Sequence, residues 1–172
     1  MTHFLLAVGE QDARFADGFD EVFLWSDSAS SSFTRGLDPY LKPWGSVKKS
    51  NIDFVRIALG VFAADRSVRR RGGGSDWNAR EISLTVQVDD PKHWQRNKDH
   101  LASLVGFLTG DRWAFAFVSA SERITVNVKP EKDAFSRTVL LSGGADSAAG
   151  ALLSALQLPQ DNSQALVSHL SS

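Results

Sequence analysis

The stretch "LLSGGADSAAGALLSAL", residues 140–156, decides the fold of the C-terminal part of the chain. A short apolar run precedes a cluster of small residues, and an Ala- and Leu-rich segment follows this cluster. With "RTVLL" at 137–141 and "ALVSHL" at 165–170, the pattern predicts a strand, a loop, a helix and a second parallel strand, which is one βαβ unit. We expect both faces of the strands to be covered. The helix residues expected to face inward are Ala148, Ala149, Leu152, Leu153 and Leu156.

The loop at 142–147 favours an anion, and phosphate in particular. It is expected at the carboxyl edge of the sheet, where a helix beginning near Asp146 or Ser147 directs its unpaired amides and positive dipole end. Gly143 and Gly144 let the backbone approach an anion, and Ser142 adds a hydroxyl donor, as does Ser147. We expect valine at position 144 to fill the phosphate's space and to strain a backbone with positive φ. The loop has no lysine, which excludes a GxxxxGK[ST] loop, and it contains no GxGxxG.

The motif Ser-Gly-Gly-x-Asp-Ser resembles the pyrophosphatase loop, or PP-loop, of the N-type ATP pyrophosphatases. This resemblance implies a Rossmann-like fold of the adenine nucleotide alpha hydrolase (HUP) type. It also implies an enzyme that cleaves ATP between the α and β phosphates, adenylates a carboxyl or carbonyl oxygen, and releases pyrophosphate with Mg²⁺. Catalytic residues and protein metal ligands remain unassigned. The residues to which the resemblance assigns ATP and pyrophosphate binding are Ser142, Gly143, Gly144, Ala145, Asp146 and Ser147.

Three earlier segments narrow the resemblance: "DFVRIALGVFAADRSVRR" (53–70), "WNAREISLTVQVDDPKHW" (77–94) and "LVGFLTGDRWAFAF" (104–117). They are similar to the N-terminal region of QueC-like (7-cyano-7-deazaguanine synthase-like) proteins, including the QatC type of bacterial anti-phage defence operons. The resemblance implies an ATP-dependent ligase or synthase in antiviral defence, with a protein partner from the same operon. That family's adenine-contacting segments and zinc-binding cysteine cluster have no counterpart in these 172 residues, which include no cysteine. We therefore expect the N-terminal part of a longer enzyme, inactive by itself.

Residues 1–132 are predicted to form an α+β accessory domain, and residues 133–172 are predicted to begin the PP-loop domain. A helix from Asn51, capped by Ser50 or Asn51, is expected to bury Phe54, Ile57, Ala58, Val61 and Phe62. Asp90-Pro91 and Gly110 predict the ends of a second helix that buries Trp94, Leu101, Leu104, Val105 and Leu108. The predicted strands are His3–Val8, Glu21–Ser26, Arg80–Val88, Arg112–Ser119 and Ile124–Val128.

Charge and hydropathy exclude several functions. A net charge of −1 carries no signal for nucleic acid, and no apolar run approaches the ~20 residues of a membrane span, so a cytoplasmic protein is expected. The run of Arg69, Arg70 and Arg71 with Gly72–Gly74 is interpreted as a solvated loop rather than a phosphate-backbone site. The residues assigned to packing or to the surface, without a chemical role, are Trp94, Trp113, Asp53, Asp65 and, above the predicted ligand edge, His169.

A second hypothesis belongs to a different class of function. The first ~130 residues have the size of an ordinary domain. Under this hypothesis they form a non-catalytic α+β protein-interaction module, and the nucleotide loop is vestigial. Nucleotide binding favours the enzyme, whereas a co-purifying protein partner without nucleotide favours the module.

Overall fold

A computed structural model describes residues 1–10, 17–26, 29–33, 47–70, 78–121 and 135–168. The described residues fall into two compact units, which we call unit 1 (up to residue 121) and unit 2 (residues 135–168). The elements of unit 1 are β1 (Thr2–Val8), β2 (Glu21–Trp25), α1 (Lys49–Ser67), β3 (Glu81–Val88), α2 (Pro91–Thr109) and β4 (Arg112–Ser119). Those of unit 2 are β5 (Arg137–Leu140), α3 (Ala145–Leu156) and β6 (Gln164–Val167).

Unit 1 is built on a parallel sheet with the strand order β2-β1-β3-β4. The chain passes through α1 from β2 to β3, and through α2 from β3 to β4, moving across the sheet in one direction both times. Right-handed crossovers therefore place both helices on the same face. From β1 to β2 the chain moves in the opposite direction across the sheet, and Phe19, just before β2, packs against Leu5, Ala7 and Leu24 on the other face.

The main core lies between the sheet and its two helices. Ile82, Leu84, Val86 and Val88 are all fully buried, as the alternation in β3 predicts. An all-parallel sheet usually has near-continuous apolar strands because both faces are covered. Here β3 and β4 alternate because α1 and α2 cover only one face. The mixture of helices and strands is thus as expected, and the sheet that joins them is wholly parallel.

The first helix buries a different face from the one that its apolar spacing predicts. Phe54 and Phe62 are more than half exposed, and Ile57 is the one member of the predicted stripe that is fully buried. The helix lies close to the sheet at Gly60, where a Cβ atom would stand 3.1 Å from Leu84 Cδ2. The predicted cap at Ser50 or Asn51 is also wrong, because the helix begins at Lys49 and no side chain caps it.

The second helix has the ends that the sequence predicts. Asp90 Oδ1 accepts a hydrogen bond from His93 N at 3.0 Å, Pro91 is the first helical residue, and Gly110 ends the helix with φ +72°. Its predicted apolar face is wrong in part. Trp94, Leu101 and Val105 are buried, but Leu104 and Leu108 are exposed because the helix turns only a narrow stripe toward β4.

Unit 2 has the predicted strand–loop–helix–strand order, and β5 and β6 pair in parallel. The predicted burial is wrong, because Leu152, Leu153 and Leu156 are 61–81% exposed, and Ala151 is the one buried residue of α3. Leu140 in β5 is exposed as well. The physical reason is the size of the sheet. The described part of unit 2 has only two strands, and so narrow a sheet cannot cover a broad face of the helix.

Some predictions fall outside the described residues: the strand Ile124–Val128, the run from Arg71 to Gly74, and His169. Within the part of the chain that the structure describes, no helix is long and apolar enough to cross a membrane.

Candidate functional site

The loop between β5 and α3 contains the predicted anion site. The strand pairing continues one residue past β5, where Leu141 N donates to Val167 O at 2.8 Å. The chain then turns through Gly143, whose φ is +86°. Gly144 is the N-cap residue, and its φ of −83° corrects the expectation of positive φ at that position. Only Gly143 needs the left-handed conformation that glycine permits.

The start of α3 leaves backbone donors available. Its first internal hydrogen bond runs from Ala148 N to Gly144 O at 3.1 Å. The N–H groups of Ala145, Asp146 and Ser147 therefore have no acceptor within the helix, as is true of the first N–H groups of any helix. The positive end of the helix dipole adds to them. The helix begins one or two residues earlier than predicted, which brings Ala145 into this group of amides.

The two predicted serines are brought together by hydrogen bonds. Ser142 Oγ donates to Ser147 Oγ at 3.1 Å, and Ser147 Oγ donates to Gly144 O at 2.9 Å. Both groups lie at the surface of unit 2. An incoming phosphate oxygen would therefore compete with the Gly144 carbonyl for the Ser147 hydroxyl proton.

Asp146 is exposed and lies in the first turn of α3, where its negative charge interacts favourably with the positive end of the helix dipole. It is the acidic residue that the loop offers to a hard cation such as Mg²⁺, which commonly takes one or two carboxylates and completes its shell with phosphate oxygens and water. Among the described residues no group of three or more acids and histidines could hold a metal by itself. A cation at this loop would thus need phosphate or water oxygens as further ligands.

The predictions for the residues assigned to packing or to the surface are confirmed in part. Trp94 and Trp113 are buried in the main core, as predicted. Arg70 was expected in a solvated loop; its side chain is 44% exposed, and it donates to both Asp111 oxygens at 2.9 Å. Asp53 is not a surface acid: it is fully buried, and it contacts Arg56.

The sequence did not predict an ion-pair network at the amino edge of the unit 1 sheet, where β3 and β4 begin. Asp111 accepts from the Arg80 backbone N–H and the Arg80 guanidinium, which also donates to Asp65. Burial alone would raise the pKa of Asp111, but the Arg80 hydrogen bonds and the charges of Arg80 and Arg70 outweigh it and lower that pKa. The hydrogen bond to Asp111 raises the pKa of Arg80. The one sequence feature that could have drawn attention to Asp111 is its position directly after Gly110, the residue that ends the helix.

The same network borders an open cleft of about 910 Å³ at the amino edge. Arg69, Arg70 and Arg80 line it together with Asp20 and Glu21, so charges of both signs face it. Arg80 and Arg70 are already engaged with Asp111. The cleft therefore lacks the uniform positive charge of a phosphate or nucleic-acid site.

Comparisons with known proteins add no relative. No protein-family model matches the chain, and no curated protein or solved structure is significantly similar to it. Membership of the QueC-like family stays a prediction from the loop residues and the three quoted segments.

Proposed function

We propose that the β5–α3 loop binds the phosphates of ATP, and that unit 2 belongs to an N-type ATP pyrophosphatase of the QueC-like type. The observation that carries the proposal is the placement of the full Ser-Gly-Gly-Ala-Asp-Ser motif between a parallel strand and a helix N-terminus. A chance run of small residues could lie anywhere in a fold. A phosphate loop requires this context, because the carboxyl edge of the strand and the helix amides must meet there.

Each loop residue has a distinct part in the proposed binding. The amides of Ala145–Ser147 would donate to phosphate oxygens, with no side chain needed. Gly144 would keep the approach open, since the nearest atom to a Cβ built there is Ser142 Oγ at 3.9 Å. Gly143 would hold the turn, and the Ser147 hydroxyl would add a donor after leaving the Gly144 carbonyl.

Mg²⁺ bound with ATP would neutralise phosphate charge. Asp146 would hold it through a carboxylate oxygen, directly or through water. The zinc site of the QueC-like family does not fit this chain, because the sequence has no cysteine to supply the ligands. The reaction proposed for the enzyme is adenylation of a carboxyl or carbonyl oxygen with release of pyrophosphate, in anti-phage defence. In this proposal the loop would supply phosphate contacts, and no residue is assigned to the adenylation step, so we expect this chain to bind ATP without turnover.

Calorimetric titration of the whole chain with Mg-ATP and with pyrophosphate tests the proposal. Gly144→Val should abolish binding, since its side chain occupies the space of the phosphate. Ser147→Ala should weaken binding about tenfold or more, because a hydrogen bond to a charged group contributes roughly 1.5–3 kcal/mol.

Gly150→Ala is the matched control. It lies on the same helix, nothing stands within 4 Å of the added methyl group, and it should bind ATP as the wild type does. Circular dichroism of all three variants verifies folding. Unchanged ATP affinity in a folded Gly144→Val variant would reject the loop as the phosphate site.

A further inference from the structure

A second group of polar side chains lies in unit 1, where β1 and β3 end. The backbone pairing of these strands runs from Thr2 to Leu6 of β1, and beyond it the Gln87 side chain takes over by accepting from Val8 N at 2.6 Å. Phe19, between β1 and β2, packs on one face of the sheet, and α2, which follows β3, packs on the other. Open parallel sheets bind ligands at the carboxyl ends of two strands that diverge in this way.

A cluster of charged side chains occupies this end of the sheet. Asp53 and Arg56 come from the first turns of α1, and Asp89 directly follows β3. Arg56 Nη1 lies 2.9 Å from Asp53 Oδ1 and 3.3 Å from Asp89 Oδ1. All three side chains are at most 5% exposed. The Trp25 ring faces the guanidinium, with the Arg56 Cζ 5.7 Å from the ring centroid.

Asp53 has all the hydrogen bonds that a carboxylate can accept. Besides Arg56 Nη1, its donors are the backbone N–H groups of Asp89 and Asp90 and the Trp94 indole Nε1, at 2.8–3.1 Å. Four donors match the approximately four lone-pair sites of a carboxylate. Asp53 therefore fixes the cluster and has no capacity left for a ligand.

Arg56 and Asp89 are not satisfied. Arg56 Nε and Nη2 and Asp89 Oδ2 are enclosed, and none of them has a hydrogen-bond partner among the residues that the structure describes. Buried polar atoms almost always have a partner, from the protein, from ordered water or from a ligand. The Nε–Nη2 edge of a guanidinium is the fork that receives a planar acceptor group. The cluster thus lacks an acceptor opposite Arg56 and a donor opposite Asp89.

Charge decides what kind of molecule fits. Two carboxylates and one guanidinium give the cluster a formal charge of −1. A carboxylate ligand would satisfy Arg56, but it would add a second uncompensated negative charge to an enclosed site. A carboxamide has the same planar shape and no charge, and it carries a carbonyl acceptor beside an N–H donor.

We propose that Arg56 and Asp89 form a binding site for a small uncharged molecule bearing a carboxamide group. Its carbonyl oxygen accepts from the Arg56 Nε–Nη2 edge, and its N–H donates to Asp89 Oδ2. The site is independent of the proposed ATP function, because it lies in unit 1 and shares no residue with the β5–α3 loop.

Titration of the ¹⁵N-labelled whole chain with acetamide, and separately with acetate, tests this site by NMR. The Trp94 indole N–H is the reporter, since it is bonded to Asp53 Oδ2 in the cluster. Acetamide should shift this resonance and bind at least tenfold more tightly than acetate. A Trp94 indole that neither probe moves would overturn the proposal and leave enclosed water as the partner of these atoms.

Asp89→Asn sharpens the test. The variant removes the cluster's net charge and can replace the unpaired acceptor with an N–H donor, so acetate should become the preferred probe by at least tenfold. Asp90→Asn is the matched control. It removes one charge from the neighbouring residue, asparagine also caps helices well, and the preference for acetamide should remain. A folded Asp89→Asn variant with unchanged preference would reject the proposal. If that variant does not fold, the acetamide and acetate affinities of the wild type decide alone.

Discussion

At the scale of the residue, Asp111 connects the end of α2 to the start of β3. Its side chain is fully enclosed and faces two arginines, of which Arg80 is also buried. The alternation of apolar residues cannot reveal such a network, because its members lie 31 and 41 positions apart. Only the folded sheet brings them together.

We expect Asp111→Asn to lower the free energy of unfolding at pH 7 by about 3 kcal/mol, since the variant removes the more buried of the two carboxylates that compensate the Arg80 charge. The folded pKa of Asp111 lies below its unfolded value. Its stabilisation is therefore complete above the unfolded pKa, near pH 4, and is lost as the pH falls through the folded value. The difference between wild type and variant should shrink below pH 4. Urea unfolding monitored by tryptophan fluorescence measures both effects.

Glu81→Gln is the control for this measurement. Glu81 pairs with Arg112 at 3.5 Å, and both side chains are at least half exposed. An exposed pair contributes under about 1 kcal/mol, so this variant should unfold almost as the wild type does at pH 7. Equal losses in the two variants would contradict the role given to burial.

At the scale of the element, glycines inside helices have opposite surroundings. A Cβ at Gly106 in α2 would lie 3.0 Å from the backbone oxygen of Asp111, whereas Gly150 in α3 faces open space. The Asp111 carbonyl cannot move away without disturbing the turn at Gly110, whose N–H already donates to Gly106 O at 2.8 Å. The same substitution should therefore change the stability of the two helices in opposite directions.

Gly150→Ala should stabilise α3 by roughly 0.5–1 kcal/mol through helix propensity alone. Gly106→Ala gains the same propensity but loses more by overcrowding, typically about 1–3 kcal/mol, so a net loss is expected. Amide hydrogen exchange in each helix measures the local stability. Slower exchange of α2 in Gly106→Ala would show that the helix can move away from the Asp111 turn.

At the scale of the whole molecule, burial is concentrated in unit 1. Sixteen buried residues form its main core, whereas Ala151 and Ala165 are the buried apolar residues of the described part of unit 2. Hydrophobic burial is the dominant favourable term in folding, so the two units should differ in local stability.

Hydrogen exchange of the whole chain should show this difference directly. We expect the amides of β1 and β3 to exchange most slowly, and those of α3 to exchange at least about a hundredfold faster. Leu84→Ala is a positive control, since a cavity in the core should cost roughly 2–5 kcal/mol and accelerate exchange in β1 and β3. Equal protection of α3 and β3 in the wild type would contradict the prediction.

The sequence by itself determined the features that depend on neighbours along the chain. Asp90-Pro91 and Gly110 fixed the ends of α2, the alternation of Ile82–Val88 fixed the buried side of β3, and the 142–147 motif fixed a loop between strand and helix. In each case the deciding contacts lie within a few residues, so local chemistry was sufficient.

Tertiary structure alone decided which helix faces are buried and which charges meet. Asp53 was expected at the surface, yet it accepts from the backbone of Asp89, 36 positions away. Leu152 was expected inside, yet it is 68% exposed. Both outcomes depend on strand order and on how much sheet each helix covers. Those quantities arise from pairings between distant segments, which the spacing of residues within one segment does not encode.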